Sequence, residues 1–316
     1  MNLLKTIFTN RWFKWSMVIL FLIMILIVIM TSVFKAGKVS GDQNSSNNVF
    51  TIDGDTYKQS DLTNYLMQSD NKGSVAYSQF VLSKVMNYQL KKDNIKISDK
   101  QLNNYAKQDA KLFLQDNPTA NAEDFQMYVN EKYGSDSDYK QHTIDDVTNA
   151  IYAKKHVNIN DKINNIMTDL TSNANTRVVK QGFIPKDDKK SIKLLKENNE
   201  IDKSVKMEKR ELSPYTFYRQ FGKGDYQNYI NTQVDNTFYV KSNNGYYVFD
   251  IKENKHNYDK SDLKKDIHND LSFYLEKDIQ KDARQKAFNY LQKHKKLIDF
   301  KKRFDYNMFM QGLDIK

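Results

Sequence analysis

The sequence contains no cysteine, and this absence excludes several classes of protein. Disulfide bonds, thiolate metal sites, a cysteine nucleophile and a lipid-modified N-terminal cysteine all require the missing residue. Proline and glycine are also scarce, with 3 and 10 residues in a chain of 316. Few residues of these two types favour helices over an all-β architecture. The chain is long enough to form two ordinary domains with cores of their own.

Charge is absent from one long stretch near the N-terminus. Residues 15–34 contain no charged side chain and are long enough to cross a bilayer as a helix. Lys5, Arg11 and Lys14 precede the stretch, and segments rich in Lys and Arg remain on the cytoplasmic side. We therefore predict a single-pass protein of the cell membrane, in which residues 1–14 are cytoplasmic, residues 15–34 form a transmembrane anchor and the main body is extracytoplasmic.

A cleaved signal peptide is the competing interpretation of the same stretch. Its apolar region would be unusually long for a signal peptide, and Phe34, Lys35 and Ala36 make a poor small-x-small cleavage site. An uncleaved signal-anchor is therefore the preferred prediction.

The net charge of +10 comes from 49 basic and 39 acidic side chains that are mixed along most of the body. A solvated surface explains this pattern, and attraction to an anionic neighbour, such as lipid headgroups or acidic wall polymers, is the alternative. The sequence has no clean basic helix and no DNA- or RNA-binding module, so no nucleic acid partner is predicted.

Apolar residues recur at helical spacing over the first two thirds of the body. A polar linker, residues 35–48, leads to a short strand, a turn at Asp53 and Gly54, and a second short strand. Ser60 is predicted to cap a helix that starts at Asp61. Further helices are predicted over residues 75–90, 98–117, 121–133, 135–156 and 161–170.

The pattern changes after residue 173. Residues 177–184, 208–212, 238–240 and 246–251 read as strands, and residues 189–197 read as a helix. From residue 259 to about 304 the chain is predicted to be helical again. The predicted fold class is therefore mainly α with a small α+β insert. Residues 49–172 form the helical domain, residues 176–254 the insert, residues 256–304 a C-terminal helix that packs on the helical domain, and residues 305–316 a tail.

The order of these elements resembles the PrsA/SurA family of extracytoplasmic foldases. The resemblance starts at residues 49–62 (VFTIDGDTYKQSDL) and continues through residues 81–102 (VLSKVMNYQLKKDNIKISDKQL). Residues 133–136 (YGSD), followed by a helix, are also typical of the family. The resemblance implies a SurA-type chaperone domain over the helical part.

The middle of the chain is similar to a degenerate parvulin-type prolyl isomerase domain. Residues 244–249 (NGYYVF) resemble the closing strand of that domain, and residues 182–187 (GFIPKD) fall where active members read H-I-L-V-K-D. Residues 221–224 (FGKG) echo its central F-x-x-G loop. Gly182 and Tyr247 stand at the positions of the two family histidines, so the resemblance implies that isomerase activity is lost.

No catalytic, cofactor-binding or metal-ligating residue is predicted, and no cofactor is expected. The chain has five histidines, and no pair of them has metal-site spacing with supporting carboxylates. These histidines are read as exposed helix residues: His142, His156, His256, His268 and His294.

Aromatic residues are more numerous in the helical part than a thin block of helices needs. Core packing explains most of them, and a groove for unfolded chains is the alternative, since flat amphipathic rings accept many sequences. The rings in question are Tyr57, Tyr65, Tyr77, Phe80, Tyr88, Tyr105, Phe113, Phe125 and Tyr128.

Three functions follow from these observations. The first is a membrane-anchored chaperone or foldase that binds unfolded or newly secreted polypeptides without prolyl isomerase activity. The second is a binding or assembly protein dedicated to one surface or secreted client. The third is an active peptidyl-prolyl cis-trans isomerase, and the two missing histidines argue against it.

Overall fold

The structure is a computed structural model that describes residues 48–313 except for residues 70, 72, 118, 119 and 171–173. The predicted transmembrane anchor, the cytoplasmic N-terminus and nearly all of the linker lie outside the described residues. Within the described part of the chain, no helix combines the length and the apolar character that crossing a membrane requires.

The described chain opens with a hairpin. Strands β1 (Asn48–Ile52) and β2 (Asp55–Lys58) are antiparallel. Asp53 and Gly54 connect them with positive φ angles of 48° and 90°, a backbone conformation that glycine and aspartate adopt more easily than other residues. The turn predicted at these two residues is confirmed.

The helix after this hairpin starts earlier than predicted. Helix α1 (Gln59–Gln68) follows β2 directly, so Ser60 is a helical residue and not the N-cap. The carboxylate of Asp61 accepts a hydrogen bond from the backbone N–H of Lys58 at 2.9 Å. This bond satisfies a backbone donor at the helix start without a capping serine.

Five helices complete the first helical stretch, close to the predicted bounds. They are α2 (Gly73–Lys92), α3 (Asp99–Asp116), α4 (Ala122–Tyr133), α5 (Asp136–His156) and α6 (Asn160–Asp169). Ser98, Asn121 and Ser135, the first residues of three predicted helices, are the N-caps of α3, α4 and α5, and their side chains accept backbone N–H hydrogen bonds.

A second part of the chain, here called the sheet unit, comprises residues 175–257. It contains β3 (Asn175–Pro185), α7 (Lys189–Asn198), β4 (Glu208–Leu212), α8 (Pro214–Asn231), β5 (Thr237–Lys241) and β6 (Gly245–Asn257). The four strands form an antiparallel sheet in the order β4-β3-β6-β5. Helix α7 covers one face through Leu195, and α8 covers the other face through Phe217. The predicted strands and the helix of residues 189–197 are confirmed within three residues, except that β6 continues to Asn257.

Buried Arg177 fastens α8 to the sheet. Its guanidinium donates hydrogen bonds to the carbonyls of Tyr229, Ile230 and Thr232 at the end of α8. A cation at a helix C-terminus satisfies carbonyl groups that have no partner within the helix and interacts favourably with the helix dipole.

The continuous helical region predicted from residue 259 to about 304 is divided. It consists of α9 (Lys260–Asn269), a 3₁₀ turn (Leu271–Leu275), α10 (Lys277–Lys293) and a short strand, β7 (Ile298–Phe300). Asp270 separates the first two elements because its carboxylate caps the 3₁₀ turn. The segment predicted as a tail begins inside one more helix, α11 (Arg303–Gln311).

Strand β7 forms where the apolar pattern changes from helical spacing to alternation. Ile298 and Phe300 pair with Ile52 and Phe50 of β1, and Asp299 between them is exposed. The C-terminal part of the chain thereby returns to the first strand, in a sheet of order β2-β1-β7.

The last two helices lie against the first helical stretch. Helix α10 packs on α2 and α5, and α11 packs on α2. The Ser78 hydroxyl donates to the Phe309 carbonyl at 2.6 Å. A Cβ atom at Gly312 would overlap the Ser74 carbonyl oxygen, so this close approach of α11 to α2 requires glycine.

The sheet unit joins the helices through a polar junction centred on Asp270. Gln108 of α3 and Tyr215 of α8 each donate a hydrogen bond to its carboxylate at 2.8 Å, and the Arg219 guanidinium lies 3.4 Å away. Burial alone would raise the pKa of Asp270, but the hydrogen bonds from Ser272, Gln108 and Tyr215 hold the pKa below its ordinary value. The charged carboxylate thus connects three segments that are distant in sequence.

Candidate functional site

The four-stranded sheet places the two family-histidine positions on opposite faces. Gly182 pairs with Val248, and Phe183 pairs with Tyr247. Successive side chains alternate between the two faces of a sheet, and directly paired residues point to the same face. Gly182 therefore belongs to the face covered by α7, and Tyr247 belongs to the face covered by α8. Two side chains at these positions would not face each other in one pocket.

The α7 face has no room for a side chain at Gly182. A Cβ atom there would lie 2.5 Å from the Met207 sulfur, 2.9 Å from the Lys206 carbonyl oxygen and 3.0 Å from Val205. The chain before β4 crosses the sheet at this point. A glycine inside a strand often marks such a close approach of another segment. Gly182, inside the predicted strand of residues 177–184, is therefore the sequence signal for this crossing.

The α8 face is filled with aromatic rings. The Tyr247 ring lies 5.0 Å from Phe183 and 5.2 Å from Phe221, measured between ring centroids, and Tyr247 is only 7% exposed. Phe249 continues the packing deeper, where it is fully buried against Phe238. A prolyl side chain could enter this face only by displacing one of these rings.

The FGKG sequence lies where α8 is interrupted. Gly222 has φ 80° and ψ 176°, which is not a helical conformation, and it divides the α-helix after Phe221. The break leaves Phe221 half-buried over the sheet, whereas Lys223 bonds to Asp169 of α6. The loop thus connects the aromatic face with the helical part.

The aromatic residues singled out in the helical part separate into two groups. Most of them serve packing or the polar network of the helices. Tyr57 and Phe80 pack on the buried ring of Phe50, and Tyr65 packs on Phe80. Tyr77 is buried in α2, and Tyr88 is half-buried. Tyr105 donates a hydrogen bond to Asp146.

The second group forms what we call the α3–α5 aromatic cluster: Phe113, Phe125, Tyr128, Tyr133 and Tyr139. The Phe113 ring centroid lies 5.4 Å from Phe125 and 4.9 Å from Tyr128, and the Tyr139 ring contacts both Phe125 and Tyr133. All except Tyr133 are half-buried. Sequence reasoning named three of these rings and missed Tyr133 and Tyr139.

Two exposed apolar side chains lie on the same helices as the cluster. Leu112 is 43% exposed next to Phe113, and Met127 is 62% exposed next to Tyr128. Methionine adapts its shape easily and is frequent at surfaces that bind many partners. Half-open rings and exposed apolar side chains therefore occur together on helices α3 and α4.

Buried polar groups hold the cluster in place from below. The Tyr139 hydroxyl donates to Asp109 at 3.0 Å, and the Tyr105 hydroxyl donates to Asp146 at 2.7 Å. Burial raises the pKa of Asp109. Burial also raises the pKa of Tyr139, and the charge and hydrogen bond of Asp109 raise it further.

His142 connects this polar layer to the rings. Its Nε2 lies 3.2 Å from the Asp146 carboxylate, and its ring stacks on Tyr133 at 4.8 Å. Burial lowers the pKa of His142, but the hydrogen bond and charge of Asp146 outweigh this effect, so the pKa is raised. Lys132 caps the same region, with its ammonium over the Tyr128 and Tyr133 rings.

The histidines are not gathered at one place. His256, His268 and His294 are exposed, as predicted, but only His268 is in a helix, since His256 lies in β6 and His294 follows α10. His142 and His156 are helical but half-buried because their rings pack on Tyr133 and Tyr152. Over the described ranges, no group of three or more His, Cys, Asp or Glu side chains could hold a metal ion.

The chain was compared with known proteins at three levels. No family model matches it, and no curated protein matches it. Solved structures do match. The foldase protein PrsA from Streptococcus pneumoniae is 12% identical, with 84% of this chain and 99% of that chain covered and a TM-score of 0.47. PrsA from Bacillus subtilis is 19% identical, with 85% and 99% covered and a TM-score of 0.38.

A third match is one of two structurally related SurA-like chaperones of Campylobacter jejuni. It is 13% identical, with 80% of this chain and 98% of that chain covered and a TM-score of 0.30. The solved structures to which the chain is similar are thus PrsA foldases and SurA-like chaperones.

Proposed function

We propose that the protein is a membrane-anchored extracytoplasmic chaperone that binds unfolded or newly secreted polypeptides at the α3–α5 aromatic cluster. The observation that carries the proposal is the half-open state of these rings, with Leu112 and Met127 exposed on the same helices. Unfolded chains offer apolar side chains in many sequences. Rings and a flexible methionine accept such side chains without demanding one geometry.

The rigid polar layer under the cluster supports the same function. Binding loses free energy when side chains must first be ordered, and preorganised rings reduce that loss. Tyr139 is fixed by Asp109, and Tyr133 is fixed between His142 and Lys132. The cluster therefore offers an apolar surface that is already in position when a client arrives.

Prolyl isomerase activity is not part of the proposal. Gly182 and Tyr247 lie on opposite faces of the sheet, and Phe183, Phe221 and Tyr247 fill the α8 face. Isomerisation needs groups that bind the twisted peptide bond more tightly than the planar one. A face closed by aromatic rings offers no polar pocket for that difference in binding.

We also propose that residues 49–172 and 256–304 form one helical domain, with residues 176–254 inserted. The pairing of β7 with β1 and the packing of α10 on α2 and α5 support this organisation. The anchor proposal, with residues 1–14 in the cytoplasm and residues 15–34 in the membrane, rests on the charge pattern of the sequence.

The test is an aggregation assay with the full-length protein and a chemically unfolded client. The double variant Leu112→Ser, Met127→Ser removes apolar surface from the proposed site without changing a buried residue. We expect it to weaken suppression of aggregation about tenfold, because each central apolar contact of an interface is worth about 1 kcal/mol or more. The control variant Met67→Ser, Val234→Ser changes two other exposed apolar side chains, 77% and 38% exposed, and should behave like wild type.

Three results would contradict the proposal. Equal activity of the two double variants would exclude the α3–α5 aromatic cluster as the client site. An enzyme-proportional acceleration of prolyl isomerisation in a peptide assay would favour the active isomerase instead, since the spontaneous step takes tens of seconds or longer. Absence of both activities, with capture of one binding partner from the native host, would favour the dedicated assembly protein.

A further inference from the structure

The segment between α10 and α11 carries a dense run of positive charge. Residues 293–303 contain Lys293, Lys295, Lys296, Lys301, Lys302 and Arg303, with Asp299 as the one acidic residue. Asp299 pairs with Lys301 at 2.6 Å. The other five basic side chains are exposed and form no ion pair with the described residues.

Helix α11 continues this segment with exposed apolar side chains. Phe304 is 66% exposed, Tyr306 is 48% exposed and Met310 is 42% exposed, whereas Phe309 on the inner side is buried. These three make up nearly half of the seven large apolar side chains that are exposed in the described part of the chain. We call the exposed side chains the basic–aromatic patch: Lys293, Lys295, Lys296, Lys302, Arg303, Phe304, Tyr306 and Met310.

The patch lies where the chain enters the fold from its N-terminal side. The backbone N–H of Lys301 donates to the carbonyl of Val49 at 3.0 Å, one residue after the start of β1. The linker of residues 35–48 spans at most about 50 Å when fully extended, and about 20 Å as a flexible coil. The patch residues that flank Lys301 therefore lie close to the point where the chain leaves the described fold toward the predicted anchor.

We infer that the basic–aromatic patch docks on the surface of an anionic lipid bilayer, next to the point where the anchor leaves the membrane. This inference rests on the proposed membrane anchor. Basic side chains near an anionic surface are attracted to its headgroups, and aromatic and methionine side chains partition into the interfacial layer. A dissolved acidic polymer would bind the lysines but would leave Phe304 and Met310 in water, and a second copy of the patch would repel the first.

Docking would fix the orientation of the body relative to the membrane. The chain then cannot rotate freely about its linker, and the surfaces remote from the patch face away from the bilayer. The patch therefore adds a second, charge-dependent contact with the bilayer to the attachment that the anchor provides.

The absence of cysteine makes a site-specific test direct. Asn307→Cys places the single thiol on the exposed side of α11, and a fluorescent label there is quenched when lipids carrying a quencher come into contact. Asn243→Cys, in the exposed turn between β5 and β6, is the control position. The full-length protein is reconstituted in vesicles of phosphatidylcholine, with or without phosphatidylglycerol. Flotation of the protein with the vesicles measures membrane anchoring separately from docking of the patch.

We expect flotation with both vesicle types, and quenching at position 307 only in vesicles that contain phosphatidylglycerol. Lys295→Glu, Lys296→Glu, Lys302→Glu should reduce the docked fraction at least about tenfold, since each basic residue near such a surface contributes about fivefold. The control variant Lys189→Glu, Lys203→Glu, Lys209→Glu changes the net charge equally at exposed lysines of the sheet unit and should dock like wild type.

The other possible outcomes distinguish docking of the patch from anchoring by residues 15–34. Flotation without quenching at position 307 would overturn the docking inference and leave the anchor intact, as would equal quenching in both lipids or at position 243. Flotation with the phosphatidylglycerol vesicles alone would support docking and overturn the anchor, and no flotation would overturn both. A spectral change with soluble poly(glycerol phosphate), but not with vesicles, would overturn docking in favour of a wall polymer.

Discussion

The central rings on the α8 face of the sheet are closed to solvent, whereas four of the five rings in the α3–α5 aromatic cluster are half-buried. Phe217 and Phe249 are fully buried and Tyr247 is only 7% exposed, with half-buried Phe183 and Phe221 at their edge. Phe113, Phe125, Tyr128 and Tyr139 have ring contacts at similar distances but keep part of their surface in water. The two regions thus contain the same residue types, but the rings are enclosed in one region and partly exposed in the other.

The difference arises from what covers each set of rings. The sheet forms one layer, and helix α8, with 18 residues and a break at Gly222, covers the apolar face through Phe217. Helix α4 has 12 residues and packs on α3 and α5 at one edge of the helical part. A short helix at an edge has neighbours on one side only, so its aromatic residues cannot all be enclosed.

The comparison also limits what a family motif implies about chemistry. The residues that resemble a parvulin domain are present in the sheet unit, but rings and backbone occupy the space that a substrate would need. The helical part, where the resemblance is longer, keeps the open apolar surface. The proposed client site therefore lies in the region with accessible rings and not in the region with closed ones.

Matched truncations in the two regions should have the largest and most different effects. Phe249→Ala removes a fully buried ring and should lower the free energy of unfolding by about 3–5 kcal/mol. Phe125→Ala removes a half-buried ring and should cost about 1–2 kcal/mol. Urea denaturation followed by circular dichroism measures both values. Equal losses would mean that the α3–α5 aromatic cluster is an ordinary core and would break the comparison.

Restoring a family histidine in the sheet should damage the fold without restoring activity. Gly182→His forces a side chain against the Lys206 backbone and the Met207 side chain, and overpacking of this kind costs about 1–3 kcal/mol or more. Gly224→His is the matched control, because no atom lies within 4 Å of a Cβ at that position. The double variant Gly182→His, Tyr247→His should show no prolyl isomerase activity, since the two imidazoles would lie on opposite faces.

Either of two results would contradict this view of the sheet. If Gly182→His unfolds at the same urea concentration as Gly224→His, residues 205–207 do not press on the strand. If the double variant accelerates prolyl isomerisation in the peptide assay, the two positions meet in one pocket and the assignment of faces is wrong.

Local signals in the sequence predicted most of the fold. The caps Ser98, Asn121 and Ser135 fix helix starts through their own side chains, and Asp53 and Gly54 fix the first turn. These features depend on neighbouring residues only, so periodicity and residue type suffice to find them.

The remaining features depend on contacts between distant residues. Strand β7 exists because Phe300 pairs with Phe50, about 250 residues away, and three residues alone carry too little pattern to indicate a strand. The faces of Gly182 and Tyr247 follow from the register of β3 against β6, which the sequence does not specify by itself. Tyr139 and Tyr133 could be recognised as cluster members only when α4 and α5 were placed together.

The smallest predicted effect concerns the pH dependence of the cluster and its polar layer. The pKa of His142 is raised above 6.5, mainly because the Asp146 hydrogen bond and charge outweigh burial. A group whose pKa is higher in the folded state than in the unfolded state stabilises the fold. Its full contribution is present at pH values below its pKa in the unfolded state and is lost as the pH rises through its pKa in the folded state. The stability advantage of wild type over His142→Gln should therefore be largest below pH 6.5 and decrease as the pH rises above that value. Urea denaturation at pH values below and above 6.5 measures the difference.

Asp146→Asn should remove the same pH dependence. The double variant His142→Gln, Asp146→Asn should remove no more, because both substitutions break the same interaction between His142 and Asp146. An advantage of wild type that grows with pH would reverse the sign, and it would mean that burial, not Asp146, governs His142.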